Sequence, residues 1–324
     1  MNNRFVVESL TLDVYIVGYK HQGESIILIV KSDEIVCYTC VIDCFEYNEI
    51  NKTIQILDDQ NISYIDTICW THPDIDHSIG IDNILSEYTN EKTTVLVPEG
   101  LDGDRESVNY HERVRNTFEL INNDIKSNKR SSFRVMSASD CKCIVDDLYT
   151  IGEKSYTFYM ISVSPNSHLI RRRELYTSKL KKNDYSIALR VKFGELELFF
   201  GSDIEDVNID LINRFLSSYI PRSFNLLKIP HHTSPSSEKL LQLLDKSKKS
   251  DISCSTVYRS NKLPDTDLID SYKKYSKRFL CTGYVSDQYD NYDYGCIHIN
   301  YNLLQRKSAI ELLGNANKVF ENYI

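Results

Sequence analysis

Apolar residues along this chain fall into runs and stripes that alternate in type. Near-continuous runs predict buried strands at Leu10–Val17, Ser25–Val30, Ile35–Ile42, Tyr64–Trp70 and Thr94–Val97. Between the third and fourth, Ile50, Ile54 and Leu57 recur at helical spacing and predict an amphipathic helix. Ser78 is placed to cap a helix reaching Tyr88, with Ile81, Ile84 and Leu85 on its inner face. Gly80, in its first turn, lets backbone approach closely.

The second half repeats the pattern. Tyr156–Val163 reads as a strand, and Ser186–Phe193, Gly194-Glu195 and Leu196–Gly201 read as a hairpin with a two-residue turn. Helices are predicted at Val207–Ser217, Ser236–Ser247 and Thr266–Lys277, and strands at Phe224–Ile229, Ile252–Val257 and Cys296–Asn300. Strands followed by alternating strand and helix, twice over, predict sheets with helices on their outer faces. No tandem repeat and no Gly/Pro-rich linker divides residues 1–324, so one domain is expected, with polar insertions near 101–129 and 164–183. These insertions carry Asp102-Gly103-Asp104, Arg171-Arg172-Arg173 and Lys179 to Lys182.

Composition narrows the class. Hydrophobic residues make up 41% and charged residues 26%, as in ordinary globular domains. No apolar run approaches the ~20 residues that span a bilayer, so no membrane is expected. The N-terminus lacks signal-peptide character, so the cytoplasm is the expected compartment. Nine cysteines without an export signal point to reduced thiols. Cys37-x-x-Cys40 and Cys141-x-Cys143 lack the spacing of a zinc ribbon. A net charge of −8 argues against non-specific nucleic-acid binding by the whole surface, though not against a local basic patch.

The candidate chemistry begins at His72-Pro73-Asp74-Ile75-Asp76-His77, four potential metal ligands directly after an apolar strand. Imidazoles and carboxylates crowded at a buried strand end need a compensating cation, and a divalent metal favours neutral imidazole and ionised carboxylate together. A solvated acidic turn that caps the next helix is the simpler alternative. Three further polar clusters also lie at predicted strand ends: Gly201-Ser202-Asp203, Pro230-His231-His232 and Asn183-Asp184-Tyr185-Ser186. Together with the first motif they could converge on a two-metal centre, in which an Asp bridges the ions and water between them is activated.

Taken in order, these segments resemble the metallo-β-lactamase superfamily, most closely the hydrolase domain of ComEC-type DNA-uptake proteins and its free-standing relatives. The resemblance runs through Gln22-Gly23-Glu24-Ser25, Val41-Ile42-Asp43, Thr71 to Gly80, Asn183 to Ser186, Gly201-Ser202-Asp203 and Lys228 to Ser234. It covers about residues 10–240 and implies an α/β fold, a four-layer αββα sandwich with the metals at one edge. It implies that His72 and Asp74 hold one ion, that Asp76 and His77 hold the other, that Asp203 bridges and that His231 completes the second site. Asp76 and Asp203 would then be catalytic, and His232, Asn183, Ser186 and Arg172 would contact substrate. Asp74 stands where the wider superfamily usually has His, a harder set that favours manganese or magnesium, with zinc still possible. Val163-Ser164-Pro165 stands where the family offers a further His, which implies a weaker first site; Ile79 and Thr233 also depart from the pattern.

The expected activity is metal-dependent phosphodiester hydrolysis, with DNA as substrate. Arg171 to Lys182 would contact phosphates and tyrosines would stack on bases. Two alternatives stand beside it. One is a hydrolase of a small nucleotide or ester; the other is a non-catalytic component of a multi-protein system of the antiviral-defence kind.

Overall fold

The apolar runs become the inner strands of two eight-stranded sheets. The computed structural model describes residues 9–101, 110–126, 132–176 (backbone alone at 173–176), 180–285 and 289–322. The first strands are β1 (Leu10–Tyr19), β2 (Glu24–Ser32), β3 (Ile35–Ile42), β4 (Thr67–Cys69), β5 (Thr94–Pro98) and β6 (Arg134–Ala138). There follow β7 (Lys142–Ile151), β8 (Lys154–Ser162), β9 (Leu189–Phe193), β10 (Leu196–Phe200) and β11 (Leu226–Lys228). The last are β12 (Ser250–Ser255), β13 (Ser276–Cys281), β14 (Tyr294–Asn302), β15 (Lys307–Gly314) and β16 (Asn317–Glu321). One sheet has the order β15-β14-β1-β2-β3-β4-β5-β6, the other β16-β13-β12-β11-β10-β9-β8-β7. Within each, a parallel block forms, β3 to β6 in one and β10 to β13 in the other.

The helices are α1 (Lys52–Asp59), α2 (Ile75–Ser78), α3 (Ile81–Glu87), α4 (Glu112–Lys126), α5 (Ser167–Tyr176), α6 (Asp206–Leu216) and α7 (Thr266–Tyr272). Packing sorts them into layers. Leu12, Val14 and Leu28 of the first sheet share a core with Phe158, Leu189, Leu226 and Leu280 of the second. On the first sheet's outer face, Ile27, Ile68 and Trp70 pack against Ile56, Ile84 and Phe118 of α1, α3 and α4. On the second, Phe199, Leu227 and Phe279 pack against Ile209, Ile212 and Leu268 of α6 and α7. The result is mixed α/β, two facing sheets with helices outside each. Each fully buried Leu or Phe contributes about 1.5–3 kcal/mol, so the shared core fixes how the sheets face one another. Among the described residues, no helix is long and apolar enough to cross a membrane.

Three local departures from the sequence pattern have physical causes. The helix expected to start at Ser78 starts at Ile81 instead, after the short α2 that ends at Ser78, because its N-cap Gly80 sits at φ +124°, where a Cβ would lie 2.7 Å from Cys44 Sγ. Ser78 then serves the core, accepting from Trp70 Nε1 at 2.9 Å. The helix expected over Ser236–Ser247 is a 3₁₀ segment over Pro235–Gln242, where Ser237 Oγ bonds back to the Ser234 carbonyl (2.9 Å) and competes with helical geometry. The helix expected to reach Lys277 stops at Tyr272, since Ser276 starts a strand paired with β12. Parts of the polar insertions form α4 and α5; Asp102-Gly103-Asp104 and Lys179 lie outside the described residues.

Candidate metal centre

Side chains gather where the two parallel blocks end. Asp43 follows β3, Thr71 and His72 follow β4, Asp203 follows β10, His231 and His232 follow β11, and Thr256 follows β12. These are carboxyl ends of parallel strands, the edge where α/β sheets gather ligand groups. Two backbone links hold the ends together: Ile187 N donates to Thr71 O across the sheets (3.1 Å), and His231 N donates to Ser202 O (2.7 Å). Gly201 permits the second approach, since a Cβ there would meet Pro230 Cγ at 2.4 Å. The turn carrying Asp76 and His77 is brought in by α2, and Cys44 N donates to His77 O (3.3 Å).

Asp76, His77, Asp203 and His232 are all buried and offer ligand atoms within 4.8 Å of one another. His77 Nε2 lies 3.3 Å from Asp203 Oδ1 and 3.5 Å from Asp76 Oδ2, and His232 Nε2 lies 3.1 Å from Asp76 Oδ2. The other oxygen of Asp203, Oδ2, stands 3.8 Å from both His72 Nε2 and His231 Nε2. Asp203 therefore turns one oxygen toward each group of imidazoles. Asp74 Oδ2 is 3.6 Å from His72 Nε2, while its Oδ1 accepts from Lys182 Nζ at 2.6 Å.

The hydrogen-bond network assigns the tautomers. Thr71 donates its single hydroxyl proton to Asp43 Oδ2 (2.6 Å), so it must accept from His72 Nδ1–H (3.0 Å). Thr256 gives its proton to Glu24 Oε2 (2.6 Å), so it accepts from His232 Nδ1–H (2.8 Å). His77 Nδ1 donates to Asp43 Oδ2 at 2.7 Å. Each Nδ1 proton is thus committed outward, and three Nε2 atoms point toward the carboxylates, able to coordinate once a cation replaces any proton they carry. His72 Nε2, His77 Nε2 and Asp203 Oδ1 are buried without any hydrogen-bond partner. Such a convergence of acceptors is costly unless a cation sits among them.

The electrostatics agree. Burial opposes ionisation of Asp203, yet the imidazoles of His77, His232 and His72 hold its carboxyl well below the usual range. Burial likewise opposes charge on Asp76, and His77 and His232 outweigh it. Burial pushes the His77 imidazolium down, but Asp203, Asp76 and Asp43 raise its pKa well above the ordinary value. A field that draws a proton so strongly also draws a metal ion. The residues fit a divalent cation: neutral imidazoles and carboxylates, each imidazole oriented by a hydroxyl or carboxylate behind it.

Outside the ligands lies a buried support. Lys228 Nζ pairs with Glu24 Oε2 at 2.6 Å, and both side chains are almost completely buried. Burial opposes charge on Glu24, and Lys228 keeps its carboxyl below the usual range. Thr256 therefore meets an ionised acceptor and is held as acceptor toward His232. Thr256→Val should leave His232 free to turn and weaken divalent-cation affinity by about 10–100-fold. Calorimetric titration against wild type measures this, with unchanged affinity the contrary result.

Not every sequence candidate joins the cluster. His232, expected at the substrate, stands in the four-donor group, while His231 is partly exposed, bonded through Nδ1 to Ser236 Oγ (2.8 Å), with Glu205 Oε1 3.7 Å from that nitrogen and Asp203 Oδ2 3.8 Å from its Nε2. The cause is a run of left-handed backbone, φ 49° at His231, 51° at His232 and 62° at Thr233, which rotates the second imidazole inward. Ser186 Oγ lies 3.4 Å from Ser202 Oγ, behind Thr71. Asn183 Nδ2 donates to Glu205 Oε1 at 3.2 Å, and Arg172 is exposed on α5. Ser164 is buried and donates to Asn208 Oδ1 (3.3 Å). Sequence reasoning missed Thr256 altogether, and gave no role to Glu24, Asp43 or Lys228. Their signal was weak because each acts through another side chain distant in sequence.

The chain matches no protein-family model and no curated protein.

Proposed function

We propose that the chain is a metal-dependent hydrolase of phosphodiester bonds, with DNA as substrate, built on the metallo-β-lactamase fold. The observation that carries this is the inward convergence of three imidazole Nε2 atoms with Asp76 and Asp203 at one edge of both sheets. A divalent ion held there would supply an activated water and neutralise charge developing on phosphorus-bound oxygen. Manganese and zinc are the candidate ions, with magnesium a third.

The protein's own residues do the rest. Asp43, Thr71 and Thr256 hold the imidazoles as acceptors facing inward. Asp203 ties together donors that arrive from different strands. Tyr258, half-buried with its ring 5.3 Å from that of His232, offers a face on which a base or sugar can stack. Lys181 is exposed, and Arg171 and Arg172 are exposed on the preceding helix, where they suit a phosphate backbone.

A second reading, a small nucleotide or ester substrate, is favoured by one feature. Lys181 and Lys182 are each paired with a carboxylate, Glu205 and Asp74, which reduces the field available to a long polyanion. The experiment is cleavage of single- and double-stranded DNA and of a small phosphodiester with manganese, at several salt concentrations. DNA cleavage whose KM rises steeply with salt supports the polymeric substrate, because only a polyanion releases many counterions. Turnover of the small ester alone favours the second reading, and no turnover of either rejects the hydrolase.

A further inference from the structure

The two sides of Asp203 are not equivalent. On one side Asp76, His77 and His232 complete a buried four-donor group with it. On the other, His72 has Asp74 as its neighbour, and Asp74 already holds a cation: the ammonium of Lys182, 2.6 Å from Oδ1. The Lys182 ammonium also lies 5.2 Å from the centre of the Tyr110 ring, whose face favours a cation. Lys182 belongs to a 3₁₀ turn, Lys182–Tyr185, anchored by mutual bonds between Lys181 and Asp184, so its backbone is fixed beside the centre. Among the described residues, the Ser164 hydroxyl on this side is given to Asn208, and His231, 3.8 Å from Asp203 Oδ2, is partly exposed and tied through Nδ1 to Ser236 Oγ.

We propose that this chain is built for one metal ion, and that the Lys182 ammonium takes the place of a second by neutralising Asp74 beside His72. The inference rests on the metal-centre reading above and specifies its stoichiometry. A lysine serves there as a fixed point charge. It can pair with Asp74 in the resting protein and turn to a phosphate oxygen when substrate arrives, without the strict coordination geometry a second ion requires. The exposure of its side chain, 43%, leaves that movement open.

The test is metal content and calorimetric titration of the full chain with manganese and with zinc, for wild type, Lys182→Met and Lys182→Arg. Folding of each variant is checked by circular dichroism. Wild type is expected to take up one ion tightly, with a second binding at least about 100-fold more weakly. Lys182→Met, which keeps the aliphatic stem and removes the charge, should bind the second ion at least about 10-fold more tightly than wild type. Lys182→Arg should behave as wild type. Two comparable ions in wild type, or a second-ion affinity indifferent to Lys182→Met, overturn the lysine's role and leave the metal centre standing. No ion bound by any of the three proteins overturns the centre itself, and the lysine's role falls with it.

Discussion

Asp203→Asn is expected to cut hydrolysis by about 10³-fold or more and to lower bound metal in parallel. The amide keeps the shape of the side chain but not its charge. Asp203 turns Oδ1 toward His77 and His232, and Oδ2 toward His72 and His231, so it links both sets of imidazoles. Its Oδ1 is buried without a hydrogen-bond partner, the condition of an atom whose partner is a cation. Asp76→Ala should fall nearly as far, since Asp76 Oδ2 lies beside both His77 and His232. DNA cleavage with manganese, together with metal analysis of the purified variants, is the measurement. Wild-type turnover and metal content in Asp203→Asn would remove the centre from consideration.

The second large effect concerns stability. Lys228→Met should cost about 3–5 kcal/mol, because it strands the Glu24 carboxylate in a fully buried position. The midpoint of denaturant unfolding reads the loss. Adding Glu24→Gln to Lys228→Met should recover most of it, since a neutral pair no longer needs a counter-charge. Cation affinity should remain low in that double variant, because Thr256 no longer meets an ionised acceptor and His232 loses its orientation. Recovery of both properties together would show that the buried pair serves packing alone.

Most inner strands were legible because burial on both faces writes itself as unbroken apolar sequence, as in β1 and β2, whereas the inner strand β13 was not, since Ser276-Lys277-Arg278 opens it with polar residues. Strands β7, β15 and β16 were not read, because most of their residues face solvent or the edge and their pattern is polar. The ligand turn was legible because four ligand types crowd six positions. Which of His231 and His232 faces inward was not, since that depends on three consecutive left-handed residues that no composition announces. Thr256 and Glu24 lie 232 residues apart in the chain yet share a hydrogen bond. Lys182 read as part of a basic run expected to contact phosphates, and only the folded turn sets it against Asp74.

The donors come from both halves of the molecule, Asp43 and His72 from one and Asp203 and His232 from the other. Whatever charge they grip acts as a rivet through two plates. Its grip depends on how far apart Phe158, Leu189 and Leu226 keep those plates, although none of the three belongs to the cluster. Trimming that filler would loosen the fastening from a distance, and seating the rivet would in turn make the plates come apart as one.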